Sequence, residues 1–186
     1  MEKNFITLVD RNDEIVGFDE KHDVHRKGLL HRAFSIFVVN SEGEVVIHRR
    51  ALDKYHSPGL WTNTCCSHLP KGMNMEQAVH QRLIEEMGFD TDLIFVTNFH
   101  YTIEFDNGLI ENEIDHIYVG LYNQNPIPNP TEVADFAWVP LDDLRKNVLA
   151  NPNDYTYWLK HIIYNHFEVV KQAVDKLIPK FTLPYN

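Results

Sequence analysis

Cysteine is nearly absent from this 186-residue chain: Cys65 and Cys66 are the only two, and they are neighbours. Adjacent residues cannot close an ordinary unstrained disulfide, so both are read as free thiols. No apolar run approaches the roughly 20 residues that cross a bilayer. The opening stretch MEKNFITLVDRNDE lacks the basic-then-apolar pattern of an export signal, so a soluble cytoplasmic protein with no membrane association is expected. Positive charge is also scarce, 17 Lys and Arg against 27 Asp and Glu, for a formal net charge of −10. Such a surface repels nucleic acid, and a phosphate-bearing ligand must meet a local cluster of cations or a metal.

What is present suits a single domain spanning residues 1–186, as monomer or homodimer, because a chain this long can bury a core without cross-links. With 44% hydrophobic and 24% charged residues it has the composition of a folded protein. Eleven histidines make a metal site worth seeking, although most are expected at the surface.

The segments ITLVD and EIVGFDE read as strands about a turn at Arg11-Asn12-Asp13, and AFSIFVVN with EVVIHRR as a hairpin about Asn40-Ser41-Glu42-Gly43. Ser57-Pro58-Gly59 breaks the chain before LWTNTCCSH, which reads as extended, and Leu69-Pro70-Lys71-Gly72 turns it again. Val79, Leu83 and Met87 recur every four residues, which predicts a helix from Met75 to Met87 with Gly88 as its left-handed cap. LIFVTNFHYTIEF and ENEIDHIYVGLYN form a second hairpin about Asp106-Asn107-Gly108. The run from Asn125 to Pro130 is too proline-rich to be other than a loop; ADFAWVP is a strand and LDDLRKNVLAN a short helix. Trp158, Ile162, Ile163, Phe167, Val170, Val174 and Leu177 predict one long amphipathic helix over Asp154 to Leu177, packed on the sheet.

Alternate residues of a strand share a face, so Cys66 and His68 point one way and Cys65 the other, while Glu111 and Glu113 project together. On spacing alone the plainer readings are a solvated strand face for the two glutamates, a small buried hydrophobe for Cys66, and surface positions for His25 and His31. Three neutral imidazoles (His25, His31 and His68) with the carboxylates Glu111 and Glu113 would suit Mn²⁺, Zn²⁺ or Mg²⁺ if they converged. Lys21, Arg50, Lys54 and Arg82 are the cations near these segments, although Arg82 with Glu86 is also a plain i,i+4 ion pair.

Five separated stretches, KGLLHRAFS, RRALDKYHSPG, WTNTCCSH, RLIEEMGF and ENE, make the chain resemble the type I isopentenyl-diphosphate Δ-isomerases, a branch of the Nudix superfamily, collinearly from about Ile6 through Trp158. The resemblance implies an α+β fold, a Nudix-like α/β/α sandwich with a mixed central sheet, N-terminal strands and a long C-terminal helix. It implies that His25, His31, His68, Glu111 and Glu113 hold one Mn²⁺, Mg²⁺ or Zn²⁺, and that Glu86 and main chain near Cys66 hold a Mg²⁺ on the diphosphate. It makes Cys66 and Glu113 the acid–base pair, aided by Tyr101. It further implies that Lys21, Arg50, Lys54 and Arg82 contact phosphate oxygens, and that Tyr101 and Trp158 lie beside the isoprenoid carbons of a small-molecule diphosphate. Glu113 would donate one proton and Cys66, near its ordinary thiol pKa, accept another. Without the resemblance, Tyr101 and Trp158 read as core aromatics.

Departures narrow the activity. Ser67, Met73, Gln81 and Arg82 stand where a Nudix hydrolase has Gly, Glu, Arg and Glu. Met73, Gln81 and Leu69 also differ from the isomerase pattern, and the interval from His25 to His31 is one residue shorter than in some relatives, which leaves His22 as the alternative ligand. Two rival readings are a Nudix pyrophosphohydrolase acting on a nucleoside diphosphate derivative and a non-catalytic domain that binds a phosphorylated ligand. The lost box carboxylates argue against the first, and the Cys66–Glu113 pair against the second.

Overall fold

The centre of the molecule is fixed by two strands, β3 (His31–Val39) and β8 (Ile110–Leu121), which are buried along most of their length. Strands covered on both faces need such runs, and the two lie parallel in continuous register from His31↔Glu113 to Val39↔Leu121. The structure is a computed structural model that describes residues 4–54 and 56–178, so Tyr55 of the RRALDKYHSPG stretch lies outside the described residues.

Among the described residues nine strands form one mixed sheet. β1 (Phe5–Val9) and β2 (Ile15–Glu20) make the N-terminal hairpin and join β3. The turn at Asn40–Gly43 forms, but β3 and β4 (Glu44–Arg50) pair directly only at Val39↔Val45. β4 instead runs antiparallel to β9 (Val133–Pro140), and β3 is flanked by β8 and by β6 (Cys65–His68). LWTNTCCSH is thus two short strands, β5 (Trp61–Thr62) on β4 and β6 on β3. β7 (Leu93–Glu104) completes the second hairpin with β8.

Pleating separates two cores. Phe34, Ile36 and Val38 face α2 (Met75–Met87), which buries Val79, Leu83 and Met87 against them. Asn74 and Gln77 close a reciprocal cap at its start, and Gly88 ends it at φ 74, where a β-carbon would collide with the Ile127 carbonyl. Phe37, Val39, Ile117 and Val119 face the other way, toward Leu144 and Val148 of α3 (Leu141–Ala150) and the C-terminal helices. Helices therefore cover both faces of the sheet, as expected. No helix among the described residues is long and apolar enough to cross a membrane.

One local expectation is corrected, and one helix was not expected. The predicted long helix is two, α4 (Tyr157–Asn165) and α5 (Phe167–Leu177), separated at His166 with φ −128 and ψ 7, while Asp154 ends a single 3₁₀ turn. Asn165 gives the reason: its side-chain amide donates to the His161 carbonyl at 2.9 Å, competing with the helix ladder where it breaks. The unexpected helix, α1 (Lys21–Lys27), has no apolar periodicity to announce it and is capped by Glu20 in front and by Gly28 at φ 63 behind.

Candidate active site

On β8 the period of two carries Glu111, Glu113 and Asp115 onto the same face as the core residues Ile117 and Val119. One end of that face is packed by α4 and α5; the other is polar and buried. His31 stands on β3 in register with Glu113, and His68 on β6 opposite Ala33. α1 brings His25 in from the side, with 1% exposure, and leaves His22 exposed, so His25 and not His22 joins the cluster. The expectation that most histidines lie at the surface is also corrected, since only His22 and His100 are exposed.

Ligand atoms of His25, His31, His68 and Glu111 all lie within 4.8 Å of one another. Glu111 Oε2 is 2.9 Å from His25 Nε2, 3.4 Å from His31 Nε2 and 3.5 Å from His68 Nε2. Glu113 stands just beside the four, its Oε1 2.9 Å from His68 Nε2 and 3.4 Å from His31 Nε2. The outer ring nitrogens are held by main chain: His25 Nδ1 donates to the Lys21 carbonyl at 2.5 Å and His31 Nδ1 to that of Leu29 at 2.8 Å. Fixing Nδ1–H in this way turns Nε2 inward, the arrangement that metal-binding histidines use. His31 Nε2 and Glu111 Oε2 are buried without a hydrogen bond. A divalent cation fits this donor set and would remove the crowding of lone pairs.

The electrostatics agree. Burial opposes ionisation of Glu111, yet the surrounding histidines hold it well below the usual carboxylate range, and His31 and His68 lower Glu113 likewise. Burial also opposes a charge on His31, but Glu111 and Glu113 outweigh it and raise the metal-free ring to about 10. A proton on His31 thus stands in for a metal charge. Burial keeps His68 neutral.

Cys66 and Cys65 separate as alternation requires: Cys65 is buried in the α2 core, while Cys66 lines the cleft with Ser35, His68, Tyr101, Glu113 and Asp115. The expected near-ordinary thiol is corrected, since burial, with Glu86 as the leading neighbouring charge, pushes Cys66 up to about 12. In the metal-free protein it is a thiol, not a thiolate. Tyr101 lies opposite Glu113 in the β7–β8 register and donates to its Oε2 at 2.6 Å. Tyr101 is therefore both a core aromatic and a hydrogen-bond partner of Glu113. Trp158, 5% exposed, lines the cleft and donates from Nε1 to Thr62 Oγ1 at 2.8 Å.

Lys21, Arg50, Lys54 and Arg82 line the same cleft, whose empty space is about 540 Å³ counting the part open to solvent. Burial depresses the Lys21 ammonium, and Arg82, Lys54 and Arg50 are close enough to depress it further. Arg50 lies over the Trp158 ring at 5.3 Å, and the Nε groups of Arg50 and Arg82 are buried donors without acceptors. Such donors suit an anion. Glu86 lines the cleft but stays outside the histidine cluster, its Oε1 held by Arg82 at 2.6 Å; the ion pair expected from spacing is real, and it is not a surface one.

Three residues in the site carry no expectation from sequence. His56 contacts Glu111 Oε1 at 3.2 Å. Asp115 is buried with one oxygen bonded by Ser35 at 2.8 Å and the other unsatisfied, and burial beside Glu113 raises it well above the carboxylate range. Glu132 pairs with Arg82 at 2.7 Å and with Lys54. Continuing the alternation Glu111, Glu113 would have reached Asp115; nothing local marks His56 or Glu132.

Comparison with known proteins places this geometry. The NUDIX domain model matches residues 29–160. The chain is 48% identical to isopentenyl-diphosphate Delta-isomerase 2 of Photorhabdus laumondii over 158 residues, 85% of this chain and 89% of that protein. It is 43% identical to the isopentenyl-diphosphate Delta-isomerase of Serratia proteamaculans, covering 85% and 88%. In fold it is similar to DR0079 from Deinococcus radiodurans, with TM-score 0.72, 19% identity, and 86% and 97% covered. The MutT protein of Methanosarcina mazei gives TM-score 0.62, 12% identity, and 77% and 95% covered. The buried histidine–carboxylate cluster, the cleft thiol and these matches lead to one assignment: the chain belongs to the NUDIX domain family and, within it, to the isopentenyl-diphosphate Delta-isomerases.

Proposed function

We propose that this protein, as a single domain, interconverts isopentenyl diphosphate and dimethylallyl diphosphate in the cleft that Cys66, Glu113 and the four cations line. The observation that carries the reading is the sharing of one cleft by two proton-carrying groups, Cys66 and Glu113, with Lys21, Arg50, Lys54 and Arg82. Moving the double bond adds a proton at one carbon and removes one from another, so the substrate keeps its atoms and the pair trades one proton per turnover. Thiol with carboxylate is one state of the pair; thiolate with carboxylic acid is the other. The metal-free protein holds the first, in which Cys66 can donate and Glu113 can accept. Donation by Glu113 requires the proton to move to it beforehand, with Tyr101 at its Oε2 to orient it.

Between the two transfers the carbon skeleton carries positive charge, which the ring of Trp158, a residue lining the cleft, would stabilise. The buried guanidinium of Arg50 and the cations around it anchor the diphosphate. His25, His31, His68, Glu111 and Glu113 would hold Mn²⁺, Mg²⁺ or Zn²⁺, and Glu86 a Mg²⁺ shared with the diphosphate. Bound there, a divalent ion supplies positive charge that lowers the proton affinity of the groups it touches and fixes their orientation. A hydrolase reading is disfavoured because Met73 and Arg82 stand where a Nudix hydrolase has glutamates.

Product analysis tests the proposal. Incubation of isopentenyl diphosphate with the Mg²⁺- and Mn²⁺-supplemented protein is expected to yield dimethylallyl diphosphate without phosphate release, and a panel of nucleoside diphosphate derivatives to stay intact. Release of phosphate from that panel with no allylic product would overturn it.

A further inference from the structure

Glu111 is gripped on both of its oxygens. Oε2 faces His25, His31 and His68, while Oε1 lies 3.2 Å from Nε2 of His56, a residue of the loop between β4 and β5 that is 7% exposed. An ionised carboxylate can only accept, so the hydrogen of that contact belongs to His56 Nε2. His56 is not a fourth imidazole of the cluster. Its ring centroid is 6.3 Å from that of His25, whereas the His25, His31 and His68 centroids are 4.8–5.1 Å apart.

The placement of His56 is over-determined. Its ring stacks on Phe105 with centroids 5.2 Å apart and planes 12° apart, and meets the Trp158 ring edge-on at 5.9 Å. Its carbonyl accepts from Arg50 at 3.3 Å. The next residue, Ser57, sits at φ 49 in the left-handed region, which is strained for a residue with a β-carbon. The loop is closed onto the end of β4 by Arg50 N–H to the Leu60 carbonyl at 2.9 Å and Gly59 N–H to the Arg50 carbonyl at 3.1 Å. Backbone strain beside a buried polar contact of this kind persists where surrounding structure enforces it.

We infer that His56 is a positioning residue of the metal centre: by donating to Glu111 Oε1 it holds Oε2 toward the three imidazoles and ties that carboxylate to the aromatic wall formed by Phe105 and Trp158. The inference rests on the proposed reading of the cluster as a divalent-cation site. Hydrogen bonds to ligating carboxylates commonly contribute about 10–100-fold in metal affinity.

The test is Mn²⁺ binding to the metal-free full-length protein without substrate, with free Mn²⁺ followed by electron paramagnetic resonance. His56→Phe keeps a ring against Phe105 and Trp158 but deletes the N–H; His56→Gln supplies a donor without the ring. His56→Phe is expected to weaken Mn²⁺ binding about 10–100-fold, His56→Gln to stay within a few-fold of the native protein, and His56→Phe to add no loss in a Glu111→Gln background. If His56→Phe does not fold, His56→Met, similar in length to Gln but without a donor, takes its place. Native-strength binding in the donorless variant overturns the inference, as does an equal loss in the Gln variant. Mn²⁺ binding that Glu111→Gln leaves untouched overturns the cation-site reading itself, and the inference with it.

Discussion

The phenol of Tyr101 donates a 2.6 Å hydrogen bond to Glu113 Oε2, while the other oxygen of that carboxylate faces His68 at 2.9 Å. Tyr101 thereby ties the candidate proton carrier to the helix-covered core, and this gives a first prediction. Tyr101→Phe keeps the ring packing and leaves Oε2 unsatisfied in a buried site. We expect kcat to fall by about 100-fold, at the lower end of the range for a group that assists proton transfer, with KM little changed. A variant with native kcat would remove Tyr101 from the acid–base pathway.

Metal loading should release a proton. In the metal-free protein Glu111 and Glu113 raise His31 to about 10, so at neutral pH its ring is charged and must lose that proton to become a ligand. The sign follows: affinity for Mn²⁺ rises as pH rises toward about 10. The same shift stabilises the metal-free fold below the unfolded-state value of about 6.5, and that contribution is lost as pH rises through about 10. Calorimetric titration in two buffers of different ionisation enthalpy counts the protons. Release of about one near neutral pH is the expected result, and none would contradict it.

Cys66 should react slowly. An ordinary thiol is mostly ionised at about pH 9, but burial pushes Cys66 up to about 12. Iodoacetamide labelling of the metal-free protein, mapped by mass spectrometry, is expected to lag well behind a model thiol and to keep rising with pH without a plateau near 9. A plateau there would show an unperturbed thiol.

Gly88→Ala tests the fold beside the cleft. Position 88 has φ 74, and its β-carbon would meet the Ile127 carbonyl oxygen. Left-handed strain together with that clash should cost at least about 2 kcal/mol, read as a lower urea midpoint with an unchanged slope. A stability within about 0.5 kcal/mol of native would contradict the contact.

Much of this architecture was legible because strong periodicity and turn chemistry agreed: α2 with Gly88 and the β7–β8 hairpin stand where they were expected. Strand alternation also placed Cys66 with His68, and Glu111 with Glu113. Convergence was not legible from spacing, since the β3–β6 and β3–β8 registers bring the β3, β6 and β8 residues together and α1 brings His25 in from the side. α1 escaped notice because a seven-residue charged helix that buries Val24 and His25 has no apolar stripe to read. His56 escaped because its place depends on Phe105, Trp158 and Glu111, all remote in sequence. The break at His166 turned on one amide, Asn165, acting on its own helix.

The central claim is that Cys66 and Glu113 exchange protons with a five-carbon diphosphate. Incubation of isopentenyl diphosphate in D₂O, followed by NMR, tests it most directly. The account predicts dimethylallyl diphosphate carrying deuterium in a methyl group, with incorporation abolished in Cys66→Ala and in Glu113→Gln. Product formed without deuterium, or incorporation that survives both substitutions, would contradict it.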